Sequence, residues 1–200
     1  MNENNRRLHD LGQSLWVDNI TRGTLDDGTL KGYIEDLSVT GLTSNPTIFE
    51  KVIGGGNDYD AQIAELAASE SDPEQIFFEL AMADLRRAAD DFEEIHEKTD
   101  RVDGYVSLEV SPLLADDTEA TIAQAADLYK RIERKNVFIK IPGTPAGLPA
   151  IEETIFAGIP VSVTLLFSTE QYLAAADAYL KGIERRIEAG LNPAINSVAS

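Results

Sequence analysis

The chain contains no cysteine and only two histidines, His9 and His96, in 200 residues. That excludes disulfide frameworks, thiolate nucleophiles and cysteine-held metal centres, and it leaves too few imidazoles for a histidine cluster. No metal centre is expected. Basic residues are scarce as well: 17 Lys and Arg face 35 Asp and Glu, for a formal net charge of −18. Phosphate-backbone recognition rests on clustered cations, so nucleic acid is not an expected partner. Long apolar runs are missing. No stretch approaches the ~18 apolar residues of a membrane span, and Met1 to Asp10 is polar with no apolar signal core. The expectation is a soluble, cytoplasmic chain with no membrane partner.

No Pro-, Gly- or Ser-rich block marks a linker, so residues 1–200 read as one domain, long enough to bury roughly 70% of its unfolded surface. Short apolar runs alternate with helical patterns, the order expected for parallel strands joined by crossover helices. Strands are expected at Ser14–Asp18, Ser38–Thr43, Gly104–Val110, Asn136–Ile141, Val161–Leu166 and Ile195–Ala199. Asp72-Pro73-Glu74-Gln75 opens a helix through about Lys98, and Ser168-Thr169-Glu170-Gln171 opens one to about Glu188 that Gly190 stops. Thr144-Pro145 starts another, through Phe156. Leu25–Leu37 and Asp117–Arg134 supply two more crossovers, and Pro46–Ile53 a short helix before the Gly54-Gly55-Gly56 turn. The fold class read from this order is α/β with parallel strands.

Alternate strand residues point to opposite sides. In strand three Val106, Leu108 and Val110 share one side and Tyr105, Ser107 and Glu109 the other; in strand five Ser162 and Thr164 share the polar side. Lys140, in Val137-Phe138-Ile139-Lys140-Ile141-Pro142, would leave water if its strand is central, which is costly without a partner. One reading is a lysine that snorkels to solvent; the other is an amine neutral often enough to attack a carbonyl as a Schiff-base nucleophile. Asp18 ends strand one and reads as a cap or as an acid. Asn45 precedes Pro46 and reads as a turn residue or as a ligand amide. Glu109 sits between apolar neighbours and needs a partner or a proton.

Company favours the chemical readings. Five strand ends offer Asp18, Asn45, Glu109, Lys140 and Thr164, and three of the steps between them are 27, 31 and 24 residues, near the ~30 of one βαβ unit. One lysine among an acid, an amide, a second carboxylate and a hydroxyl is what aldol chemistry through an imine requires.

Five motifs in order, Leu15-Trp16-Val17-Asp18, Gly41-Leu42-Thr43-Ser44-Asn45-Pro46, Val106-Ser107-Leu108-Glu109-Val110, Asn136-Val137-Phe138-Ile139-Lys140-Ile141-Pro142-Gly143-Thr144 and Val163-Thr164-Leu165-Leu166-Phe167-Ser168, make the chain resemble class I transaldolases of the longer bacterial form. The resemblance implies a fold of the (β/α)8 TIM-barrel type, which usually takes about 250 residues, with about six of the eight strands present here. It further implies Lys140 as the Schiff-base residue, Asp18 as acid and base at the C4 hydroxyl, and Glu109 with Thr164 holding the catalytic water. Asn45, Thr43 and Ser162 would bind the ketose, and no metal or organic cofactor would be needed. It also implies sugar-phosphate substrates: a dihydroxyacetone unit passes from sedoheptulose 7-phosphate to glyceraldehyde 3-phosphate in the pentose phosphate pathway. In the family's pattern Asn often stands where this chain has Ser162. Asn196-Ser197-Val198-Ala199-Ser200 resembles the start of the family's sixth strand, and the phosphate-binding Ser and Arg would lie beyond Ser200. Two other readings stand beside transfer. One is a class I aldolase that releases dihydroxyacetone. The other is an inactive fragment, truncated at its C-terminus, that self-associates through open sheet edges.

Overall fold

The structure, a computed structural model, describes residues 2–200 and divides into two compact units. The first runs to Leu108 and includes Arg134–Asn136; the second comprises Glu109–Glu133 and Val137–Ser200.

In the first unit the order is α1 (Glu3–Asp10), β1 (Leu15–Val17), α2 (Arg22–Asp26), α3 (Thr29–Leu37), β2 (Val39–Leu42), α4 (Pro46–Gly54), α5 (Asp60–Leu66), α6 (Pro73–Lys98) and β3 (Tyr105–Glu109), whose final residue falls in the second unit. β1 pairs with β2 and β2 with β3, both parallel. The register sets Trp16 beside Gly41 and Gly41 beside Tyr105. Two residues beyond that row, Thr43 and Ser107 meet through their side chains, the Ser107 hydroxyl donating to the Thr43 hydroxyl at 3.1 Å. Gly41 is glycine for a steric reason: a Cβ there would lie 2.3 Å from Cε2 of the Trp16 indole.

Helix α6 starts as its sequence dictates. Asp72 accepts from the Glu74 N–H at 2.9 Å, and Pro73 occupies the first helical position. Its apolar face buries Phe78, Met82, Leu85 and Phe92 completely or nearly so, each contributing about 1.5–3 kcal/mol by removal from water. Gly104, at φ +78°, lets the chain pass so close to the end of α6 that a Cβ would lie 2.4 Å from the His96 nitrogen. Asn136 is buried and donates to Ala89 O at 2.8 Å and Gly104 O at 2.9 Å, joining this helix to the entry of β3.

The second unit contains α7 (Thr118–Ile132), β4 (Val137–Pro142), α8 (Gly147–Phe156), β5 (Val161–Thr164), α9 (Thr169–Glu188) and β6 (Ser197–Ala199). β4 pairs with β5 and β5 with β6, again parallel. β4 is buried at every residue, as a central strand of a parallel sheet should be. Ser168 and Gln171 form a reciprocal capping box at the start of α9. Arg186, 8% exposed, donates to the carbonyls of Phe156 and Asn192, so the end of α8 and the approach to β6 are held by one guanidinium.

All six expected strands are present and are separated by helices, so the protein is α/β with the element order of a (β/α)8 chain six strands long. Differences lie at the edges of helices. The expected helix over Leu25–Leu37 is two, α2 and α3, because Gly28 at φ +78° breaks the run. Helix α8 begins at Gly147, yet the Thr144 hydroxyl still accepts the Gly147 N–H at 2.9 Å. α1 and α5 carry no buried residue, which is why no apolar periodicity announced them. Among the described residues no helix is long and apolar enough to cross a membrane.

Candidate active site

Lys140 lies within β4 and is 7% exposed. Its Nζ stands 3.1 Å from Oε2 of Glu109, whose side chain is 14% exposed. A lysine so little exposed needs a counter-charge, and the end of β3 supplies one. Val110 N–H donates to Lys140 O at 3.1 Å, which ties the backbone beside the carboxylate to the backbone of the lysine. The snorkelling alternative does not describe this lysine.

The register of β4 against β5 places Ser162 directly beside Lys140 and Thr164 beside Pro142. Both hydroxyl residues are buried, at 4% and 9% exposure. Thr164 is thus one pleat further toward the C-terminal end than the lysine's own row, the end at which parallel α/β proteins place their chemistry. Gly143 N–H donates to Thr164 O at 2.8 Å, so the chain leaves both strands in register. Immediately afterwards Leu165 adopts φ +62°, a left-handed conformation that costs a leucine about 1–2 kcal/mol. Strain of this kind concentrates next to functional residues.

In the first unit Asp18 follows β1 and is exposed. Thr43 N–H donates to Val17 O at 2.9 Å, and the Thr43 hydroxyl accepts from Ser107 Oγ at 3.1 Å. The amide of Asn45 presents two different groups, an acceptor oxygen and a donor nitrogen. Its Oδ1 accepts the Ile48 N–H at 2.9 Å and caps α4, which leaves Nδ2 as the group able to meet a ligand. The turn reading of Asn45 is therefore correct for its oxygen and silent about its nitrogen.

Three residues of this unit escaped notice in the sequence: Arg22, Tyr59 and Asp84. Arg22 donates through Nε to Asp84 Oδ1 at 3.0 Å and through a terminal nitrogen to Gln62 Oε1 at 2.7 Å. The Tyr59 hydroxyl donates to Asp84 Oδ2 at 2.7 Å. Burial pushes the Tyr59 phenol well above its ordinary pKa, and the adjacent Asp84 carboxylate pushes it further the same way. One signal was available. Asp84 falls at helical spacing with Ala81, Leu85 and Ala88, a carboxylate on an apolar face. No group of three or more acidic or imidazole side chains among the described residues could hold a metal ion.

Parallel strands alternating with helices, six strands among the described residues, define an α/β protein of the partial (β/α)8-barrel class, here with a buried lysine paired to a carboxylate. The chain belongs to the transaldolase/fructose-6-phosphate aldolase family, whose model matches residues 15–200. It is 48% identical over 200 residues to the transaldolase of Mycolicibacterium paratuberculosis, covering 100% of this chain and 54% of that protein. It is 46% identical over 190 residues to transaldolase 2 of Nostoc punctiforme, covering 94% of this chain and 50% of that one. The transaldolase of Trichodesmium erythraeum is 48% identical over 194 residues, 96% and 50% of the two chains. The chain thus spans about half the length of the curated relatives it matches.

Proposed function

We propose that this chain carries transaldolase chemistry, moving a dihydroxyacetone unit from sedoheptulose 7-phosphate to glyceraldehyde 3-phosphate through a Schiff base on Lys140, in the cytoplasm and as a step of the pentose phosphate pathway. The observation that carries the reading is the Lys140–Glu109 pair, 3.1 Å apart with both side chains nearly buried. Attack on the ketose C2 carbonyl needs an unprotonated amine, and in this reading Glu109 takes its proton. The carbinolamine then loses water with Glu109 and Thr164 managing the proton and the oxygen. Asp18 removes the C4 hydroxyl proton, the C3–C4 bond breaks, its electron pair flows to the iminium to leave an enamine, and the aldehyde departs. Addition of the acceptor aldehyde reverses these steps. Asn45 through Nδ2, Thr43 and Ser162 hold the ketose, and the scheme uses no metal or organic cofactor.

The test is borohydride reduction with fructose 6-phosphate. Expected is a covalent adduct on Lys140; a folded protein with no mass increase there refutes the assignment. A second reading has its own support, since the matching family model joins transaldolase with fructose-6-phosphate aldolase. Release of dihydroxyacetone as fast without an acceptor aldehyde as with one would establish that reading over transfer.

A further inference from the structure

We infer that Arg22, gripped by Asp84 and Tyr59, is a positioning residue that holds the loop bearing Asp18 in place for proton transfer. The inference rests on the role proposed above for Asp18. Asp18 is exposed, and no hydrogen bond or ion pair of its side chain is found among the described residues, so only its backbone determines where the carboxylate stands. That backbone is short. Residues 18–21 join β1 to α2, and the loop is anchored upstream by the Thr43 N–H to Val17 O bond. Downstream, Ile20 is 1% exposed, Thr21 and Thr24 form a capping box, and Arg22 is the first residue of α2.

Arg22 is held far more firmly than a helix of five residues requires. Besides its contacts to Asp84 and Gln62 it donates to Asp58 O at 3.2 Å, and its guanidinium lies 4.1 Å from the centroid of the Tyr59 ring. Asp84 is 1% exposed and Tyr59 fully buried. A buried ion pair of this kind is commonly no more stable than a well-packed apolar substitute, so stability alone is a weak reason to have one. What it does supply is geometry: a planar fork fixed by Asp84 on α6, by Gln62 on α5 and by the Tyr59 ring admits one position for the start of α2. With four residues between that point and the strand, the Asp18 carboxylate moves when Arg22 moves. A misplacement of about 1 Å is enough to cost a reaction on the order of a hundredfold.

The experiment uses the whole chain, wild type, Arg22→Lys and the gentler Tyr59→Phe. Each is mixed with fructose 6-phosphate and quenched with borohydride over time, and the Lys140 adduct is resolved by mass into the intact sugar phosphate and the three-carbon product of C–C cleavage. Amide exchange is followed on the same samples. In Arg22→Lys the total adduct should form at the wild-type rate, while its conversion to the three-carbon form slows about tenfold to a hundredfold. Exchange should rise in residues 18–21 and stay unchanged in β4. Tyr59→Phe should show the same pattern at smaller amplitude. Wild-type conversion in Arg22→Lys overturns the inference, as does a parallel loss of both adducts with exchange rising throughout the chain, which marks a merely structural role. A wild-type protein that forms no adduct at Lys140 refutes the Schiff-base reading first and this inference with it.

Discussion

Replacing Glu109 by glutamine keeps the size of the side chain and removes its charge, which makes it the sharpest probe of the Lys140 pair. In the wild type the two charged groups are 3.1 Å apart and only 9% and 14% exposed at their side chains. Removing one partner of a buried pair leaves the other uncompensated, at a cost of about 3–5 kcal/mol. The glutamine amide oxygen can still accept a hydrogen bond from the ammonium, so Glu109→Gln is expected at the lower end, about 3 kcal/mol by denaturant titration. Lys140→Met should cost a similar amount by stranding the carboxylate, whereas Lys140→Met with Glu109→Leu should recover most of the loss, because both charges are then gone. Chemistry separates from stability. In Glu109→Gln, borohydride trapping of fructose 6-phosphate on Lys140 should slow by about 10²–10⁴, the usual worth of a positioned acid–base group. A trapping rate equal to wild type would refute the idea that Glu109 takes the lysine proton. Additive stability losses in the double variant would refute the claim that the two charges depend on each other.

Three further outcomes are expected. Gly41→Ala places a methyl within 2.3 Å of the indole of Trp16, the only tryptophan, so it should cost about 1–3 kcal/mol and shift the intrinsic fluorescence; an unshifted spectrum would contradict the packing. Asn45→Asp keeps the oxygen that caps α4, while Asn45→Ala loses it for about 1 kcal/mol. Both lose the Nδ2 donor, so ketose KM should rise in both; a rise confined to the alanine variant would assign Asn45 to the helix alone. The Tyr59 phenol is raised in the folded protein, so the fold binds that proton more tightly than the unfolded chain does. Its contribution is complete below the ordinary phenol value of about 10 and fades as pH rises above it. Unfolding measured on either side of that value should lose less stability in Tyr59→Phe than in wild type, and identical slopes would count against the buried hydrogen bond.

Local chemistry carried much of the fold. Strand positions follow from period-two alternation, and the starts of α6, α7 and α9 from Asp72, Asp117 and Ser168, because caps and alternation involve residues a few positions apart. Where the sequence reading fell short, the missing signal was of two kinds. The break at Gly28 is a single residue inside an otherwise continuous apolar pattern, and α1 and α5 lie on the surface without an apolar stripe to betray them. Lys140, Glu109 and Thr164 were legible as polar residues on strands that should be buried, since an ionisable side chain in such a place asks for a reason.

What the sequence determined by itself is the alternation of strands and helices, the caps, and the candidate residues for the proposed imine chemistry. Only the tertiary structure decided that Lys140 meets Glu109 at 3.1 Å, that Ser162 shares its row, that Trp16 fills the space a side chain at Gly41 would take, and that Arg22 reaches Asp84. These contacts join residues tens of positions apart. Their existence depends on strand register and helix packing, which are set by the burial of whole faces at once and by no short stretch of chain.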